Sequence, residues 1–111
     1  MARPICLLMV DTDPDRRAVV RGAMRRRGDM MLTASSTEEA WQRLEQSALP
    51  IDWILVDLDH AGAEALTFAA EVRKKNRDLE ILLTTETRLD SDFKQLQKPY
   101  GTRELWAAMA G

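Results

Sequence analysis

The sequence predicts an α/β protein, a parallel sheet covered by helices on both faces. Two observations carry this. Apolar runs of strand length alternate with segments of helical periodicity along the whole chain. The runs ICLLMV (5–10), IDWILVD (51–57) and EILLTT (80–85) are nearly unbroken rather than alternating, the pattern of strands buried on both faces. In such sheets ligands bind beyond the carboxyl ends of the strands.

The elements follow in order. After the first strand, Asp13 suits a helix N-cap and Pro14 the first helical position, and Gly28 can end that helix. Val19, Val20, Ala23 and Met24 form its apolar face. MMLTA (30–34) is a short second strand. Ser36 and Glu39 make a capping box for a helix whose Ala40, Trp41, Leu44 and Ala48 share one face. Pro50 ends it, and 51–57 is the third strand. A helix runs from Gly62 to Lys75 with Leu66, Ala69 and Val72 inward. The fourth strand is 80–85, and Leu96 lies in a short fifth one. Thr102 caps a last helix carrying Leu105, Trp106 and Met109.

Composition narrows the class. A chain of 111 residues, 45% hydrophobic and 31% charged, suits one domain spanning 1–111 and one core. A net charge of −2 gives no strong pull toward nucleic acid or an anionic membrane. No apolar stretch approaches the roughly 20 residues that span a bilayer, and MARPICLLMVDTD is a poor signal peptide. Cys6, the only cysteine, reads as a small core residue in a reducing compartment. These features point to a cytoplasmic protein.

The strand ends gather the chemistry. The first strand ends at Asp11, with Thr12 and Asp13 beyond it. The third ends at Asp57, followed by Asp59. The fourth ends at Thr84-Thr85, and Lys98-Pro99 follows the fifth. Carboxylates with water make a hard oxygen site for Mg²⁺. A carboxylate is a poor nucleophile until its electrophile's charge is neutralised. A metal beside Asp57 would do that for a phosphoryl group, with Lys98 and a Thr hydroxyl meeting other oxygens. The product would be an aspartyl phosphate.

These stretches resemble the receiver domains of two-component response regulators. LLMVDTDPDRR is similar to the family's first strand, acidic pair and first helix. WILVDLDHAG is similar to the third strand with its phosphoacceptor, here Asp57. ILLTT is similar to the fourth strand with its switch hydroxyl, best matched by Thr85. LQKPY is similar to the Lys-Pro motif, with Lys98. The resemblance covers essentially the whole chain. It implies a doubly wound, CheY-like five-stranded sheet of order 2-1-3-4-5 and phosphotransfer from a histidine kinase. It implies Mg²⁺ held by Asp11, Asp57 and the backbone carbonyl of Asp59, and a Lys-Pro bond that is often cis.

Three departures qualify the likeness. Thr12 stands where the family has the second acid of its pair and is a weaker, neutral ligand, so Mg²⁺ should bind less tightly; the Asp59 side chain could add charge. Only Glu86 to Gln97 separates Thr85 from Lys98, too little for a full helix as well as a strand, so the fourth helix is expected to be absent or reduced to one turn. A receiver subgroup associated with HWE-type kinases shares that loss and an LQKP[FY] stretch, but its Phe-Ala-Thr-Gly run is LLTTE here. Gln95 occupies the usual place of the switch aromatic, for which Phe93 or Tyr100 could substitute.

Other residues read plainly. His60 is a loop residue near the site, and the three tryptophans fit core faces. Arg17, Arg21 and Arg25 line a flank of the first helix, a solvated basic face or an acidic partner's contact. The expectation is a receiver, not an enzyme, phosphorylated on Asp57 by a histidine kinase. It would signal to a downstream protein as a monomer or weak homodimer, without contacting nucleic acid or membrane. Its rival is a degenerate receiver acting as a phosphorylation-independent interaction module, favoured by Thr12 and the missing helix. A Mg²⁺-dependent phosphohydrolase ranks last, since no second acid/base stands out.

Overall fold

The apolar runs become five strands: β1 (Cys6–Val10), β2 (Met30–Ala34), β3 (Trp53–Asp57), β4 (Glu80–Thr85) and β5 (Lys94–Gln97). The computed structural model describes residues 3–110, and His60 and Ala61 by their backbone alone. All strand pairs are parallel and the order is β2-β1-β3-β4-β5. The helices are α1 (Pro14–Arg26), α2 (Thr37–Gln46), the single turn α3 (Leu58–Ala61), α4 (Ala63–Lys75) and α5 (Thr102–Ala110).

Pleating sorts the core into two layers. Leu8, Val10, Ile54, Val56, Ile81 and Leu83 face Ala40 of α2 and Ala65, Phe68, Ala69 and Val72 of α4. Leu7, Met9, Leu55 and Leu82 face Val20, Ala23 and Met24 of α1 and Leu105 of α5. Burial on both faces explains why β1, β3 and β4 lack alternation: every residue of β1 and β3 is buried. Cys6 is a buried free thiol, as its surroundings predict.

Local signals set most helix ends. Asp13 caps α1, its side chain accepting from the N–H groups of Asp15 and Arg16, with Pro14 first in the helix. Gly28 follows at φ 76°, and its N–H and that of Asp29 bond the carbonyls of Arg25 and Met24. Ser36 caps α2 by accepting from Glu39 N–H at 3.1 Å, but the Glu39 carboxylate returns to the N–H of Ser35 rather than of Ser36.

Other expectations shift. Thr102 is not the cap of α5 but its first residue. The Glu104 carboxylate accepts from the N–H of Gly101 instead, and the Thr102 hydroxyl accepts from Arg26. Val19 is 41% exposed, because α1 turns only Val20, Ala23 and Met24 fully inward. The backbone of His60 lies in α3 rather than a loop; its side chain falls outside the described residues.

Four helices exceed one turn among the described residues: α1, α2, α4 and α5. Residues 86–93, between β4 and β5, form bends and irregular chain without a helix. Two glutamines fix this connection. Gln95 donates to Leu89 C=O and accepts from Leu89 N–H, both at 2.7 Å, and Gln97 donates to Glu86 C=O at 3.1 Å. Phe93 packs on the α4 layer with the Arg73 guanidinium 3.8 Å from its ring centre.

Candidate functional site

Register builds the site. Asp57 ends β3 opposite Thr84 of β4, so their side chains leave the sheet on the same face, that of α1 and α5. Asp11 follows β1 on that face, one residue past Val10. Asp11 and Asp57 are each 3% exposed. Burial of that degree is costly for a charge unless it is paired and hydrogen-bonded, and both are.

Lys98 reaches Asp57 from the end of β5, its Nζ 2.7 Å from Oδ1 and 2.5 Å from Asp59 Oδ2. Its following peptide bond, to Pro99, is cis. Burial acts to lower the Lys98 pKa, but the bonds to Asp57 and Asp59 outweigh it and hold the ammonium above its ordinary value. Burial likewise acts to raise Asp59, and the bonds from Lys98 and Glu86 N–H bring it below the usual carboxylate value.

The hydroxyls divide between two roles. Thr84 Oγ1 donates to Asp57 Oδ1 at 3.3 Å. Thr85, the residue that the sequence singles out, turns to the opposite face. It donates to Thr87 C=O at 2.7 Å, lies 3.4 Å from Asp59 Oδ1 and accepts from Thr87 N–H. Adjacent strand residues point to opposite faces, so only one of the pair can share the face of Asp57.

Arg16, absent from the sequence reading of the site, sits at its centre. Nε donates to Asp11 Oδ2 at 2.8 Å and a terminal nitrogen to Oδ1 at 3.1 Å. That same nitrogen stands 3.6 Å from Asp57 Oδ2, and the other terminal nitrogen 3.5 Å from Asp13 Oδ2. The hydrogen bonds to Asp11 hold the guanidinium pKa above its already high value. Arg17 donates to the backbone carbonyl of Asp11 and to the Ser35 hydroxyl, so it belongs to the site's frame rather than to a free basic stripe. Two signals pointed to Arg16: it lies five residues after Asp11, and it is a basic residue in the first turn of a helix, where the dipole disfavours it.

Asp13 stays a helix cap, its carboxyl held below the usual value first by the N–H of Arg16. Thr12 is exposed. Tyr100 packs on the α1/α5 layer, its Oη buried without a hydrogen-bond partner among the described residues; burial, then the charge of Asp11, push its pKa up. Gln95 lies at the base of the connection and Phe93 on the other layer.

Two openings reach Asp57's surroundings. A pocket of about 140 Å³ is lined by Asp11, Ser35, Thr37, Asp57 and Glu64, and a cleft of about 340 Å³ by Arg16, Glu86, Lys98, Pro99 and Tyr100.

The expected Mg²⁺ needs near-octahedral oxygen ligands at about 2.0–2.1 Å. Both oxygens of Asp11 are engaged by Arg16, and Asp57 Oδ1 by Lys98 and Thr84. The Asp59 carboxylate is taken by Lys98 and Glu86 N–H. Among the described residues no group of three or more His, Cys, Asp or Glu is arranged to hold a metal ion. As arranged, the residues do not fit Mg²⁺.

Solved structures share the architecture. A response regulator from Thermotoga maritima matches 98% of this chain and 100% of its own, with a TM-score of 0.81 at 16% identity. The chemotaxis response regulator CheY4 of Vibrio cholerae matches 97% and 98%, with a TM-score of 0.82 at 22% identity. One chain of a structure of the histidine kinase ThkA in complex with the response regulator TrrA matches 96% of this chain and 96% of its own, with a TM-score of 0.77 at 26% identity. No protein-family model and no curated protein matches the sequence.

Proposed function

We propose that this chain, whose fold is that of a response-regulator receiver, works as one, accepting a phosphoryl group on Asp57 from a histidine kinase and signalling by protein contact. One observation carries the reading. Asp57 is a buried carboxylate held at Oδ1 by Lys98 and Thr84 and bordered by an opening to solvent. Among the described residues the other oxygen, Oδ2, has only Arg16 at 3.6 Å and is the freer nucleophile. In the transfer Oδ2 would bond phosphorus while the phosphorus–nitrogen bond of the kinase's phosphohistidine breaks, the electron pair leaving with the imidazole. Arg16 and Lys98 are the chain's own cations near the incoming oxygens. No step in this reading is assigned to a metal.

The likeness to a regulator solved with its kinase supports a kinase as partner. The helix-free connection 86–93 makes this a receiver variant whose output face differs from one built around a helix there. The domain is read as a phosphoacceptor rather than an enzyme with its own substrate.

The engagement of both Asp11 oxygens by Arg16 favours a second reading, a degenerate receiver that serves as a constitutive interaction module. Incubation with acetyl phosphate or beryllofluoride, followed by mass spectrometry and NMR, separates the two. The first reading expects a modification that disappears in Asp57→Asn. A wild-type protein left unmodified, with and without Mg²⁺, would establish the second.

A further inference from the structure

We infer that the Arg16 guanidinium is the resident cation of this site, occupying the place between Asp11 and Asp57 where the receiver resemblance puts a divalent ion. The inference rests on the receiver reading only for the identity of the ion displaced.

Geometry comes first. Arg16 is the third residue of α1, and helical side chains lean toward the helix N-terminus, which here abuts the strand ends. The guanidinium is a planar fork of donors that matches a carboxylate bidentately, and it takes both oxygens of Asp11 at 2.8 and 3.1 Å. The nitrogen at 3.1 Å also faces Asp57 Oδ2 at 3.6 Å, so one group spans the two buried carboxylates.

Electrostatics make the placement exclusive. Arginine keeps its charge at any working pH. A divalent ion that reached Asp11 would have to break two charge-assisted bonds and would find the cation still tethered one side-chain length away. The cost of a cation in the first turn of a helix is offset only by the acids around it: Asp11, Asp57 and Asp13. Thr12 fits the same scheme. With the charge supplied by Arg16, a second acid at that position has no cation left to balance.

The test is metal binding itself. The wild type is titrated with Mg²⁺ alone while ¹⁵N NMR follows the amides of Asp11, Asp57 and Thr84, and Arg16→Ala and Arg16→Gln are titrated in parallel. The wild type should show no saturable shifts at low millimolar Mg²⁺. The Arg16 variants should bind Mg²⁺ roughly 10–100-fold more tightly, the scale at which neighbouring groups tune metal sites. Adding Thr12→Asp should tighten binding further only when Arg16 is gone. Mg²⁺ should also raise the melting temperature of the Arg16 variants and leave that of the wild type unmoved.

Saturation of the wild type at low millimolar Mg²⁺, with shifts centred on Asp11 and Asp57, would overturn the inference. That arm needs no variant to fold. Equal affinities in wild type and folded variants would overturn it too. Loss of the receiver reading is detected elsewhere, by an Asp57 that takes neither phosphoryl group nor beryllofluoride. Modification of Asp57 that strictly requires Mg²⁺ would uphold that reading and defeat this one.

Discussion

The two edges of the sheet both gather aspartates, and they hold them differently. At the amino edge, Asp52 Oδ2 accepts from the backbone N–H of Cys6 at 2.8 Å, and Asp29 Oδ1 from that of Ile5 at 3.0 Å. Arg3 completes Asp52 from a side chain 60% exposed. At the carboxyl edge, Asp57 rests on the side-chain ammonium of Lys98, while Asp59 shares Lys98 with the N–H of Glu86 and Asp11 shares the guanidinium of Arg16 with the N–H of Asp13. An acid bound to backbone is a fixed clamp between strands. An acid bound to the tip of a long side chain can change partner without moving the sheet. Exchangeable partners are what a site that takes up an anion requires; at the carboxyl edge they hold the two buried acids, whereas at the amino edge Arg3 is an exposed addition to an acid already bound to backbone.

Removing a partner sharpens this contrast. Lys98→Met strips a buried pair of its cation and should cost about 3 kcal/mol, the lower end for a broken buried pair because Arg16 remains near Asp57. Urea unfolding would measure it, and adding Asp57→Asn should recover much of the loss. If Lys98→Met proves as mild as a change at Arg3, the carboxyl-edge pair is not a buried one in energetic terms. Asp52→Ala leaves the N–H of Cys6 without its acceptor and should cost about 1–3 kcal/mol by the same assay. No second substitution on the carboxyl edge should rescue it.

Thr85→Val frees both polar groups of Thr87 and should cost about 0.5–1.5 kcal/mol. Thr84→Val, losing a bond of 3.3 Å, should cost less but slow Asp57 modification by acetyl phosphate more. The reverse ranking of modification rates would favour Thr85 as the hydroxyl that serves Asp57. Arg3→Ala, at an exposed pair screened by solvent, should change stability least.

Alkali should weaken the two edges for opposite reasons. The Cys6 thiol is raised above 9.0, first by burial. Its contribution is whole below 9.0 and is lost above that as the unfolded chain gains a thiolate. Lys98 is raised above 10.5 by its acids, so its contribution is whole below 10.5 and fades as pH rises through the folded value. Tyr100, raised above 10.0 by burial, adds to the loss. Asp13, Asp52 and Asp59 are lowered from 3.8, so their contributions hold above 3.8 and vanish as pH falls through the lower folded values. Stability against pH should therefore lose its earliest alkaline step in Cys6→Ala, and only the later one in Lys98→Met.

Much of the fold was legible because it is written in local pattern. Unbroken apolar runs announced strands covered on both faces, and Asp13-Pro14 and Gly28 bounded α1. The span from Thr85 to Lys98 is short, and residues 86–93 join β4 to β5 through bends. Thr102 misled because a hydroxyl beside a glycine looks like a cap, whereas the Glu104 carboxylate does that work. Phe68, buried against Trp41 with ring centres 5.1 Å apart, does not lie on the face that Leu66, Ala69 and Val72 define by periodicity, and only the packing of α2 on α4 brings it inward.

The sequence by itself determined which residues end the strands, and so which acids and which lysine could meet: Asp11, Asp57, Asp59 and Lys98. Only the tertiary structure decided their partners. Which threonine faces Asp57 depends on the register of β3 on β4, since adjacent positions point to opposite faces. Which cation answers Asp11 depends on the direction in which α1 leaves the sheet, and that direction delivers Arg16 across two buried carboxylates. Pattern along the chain fixes where charges emerge; pairing between them is settled by distances through space, which sequence spacing does not encode.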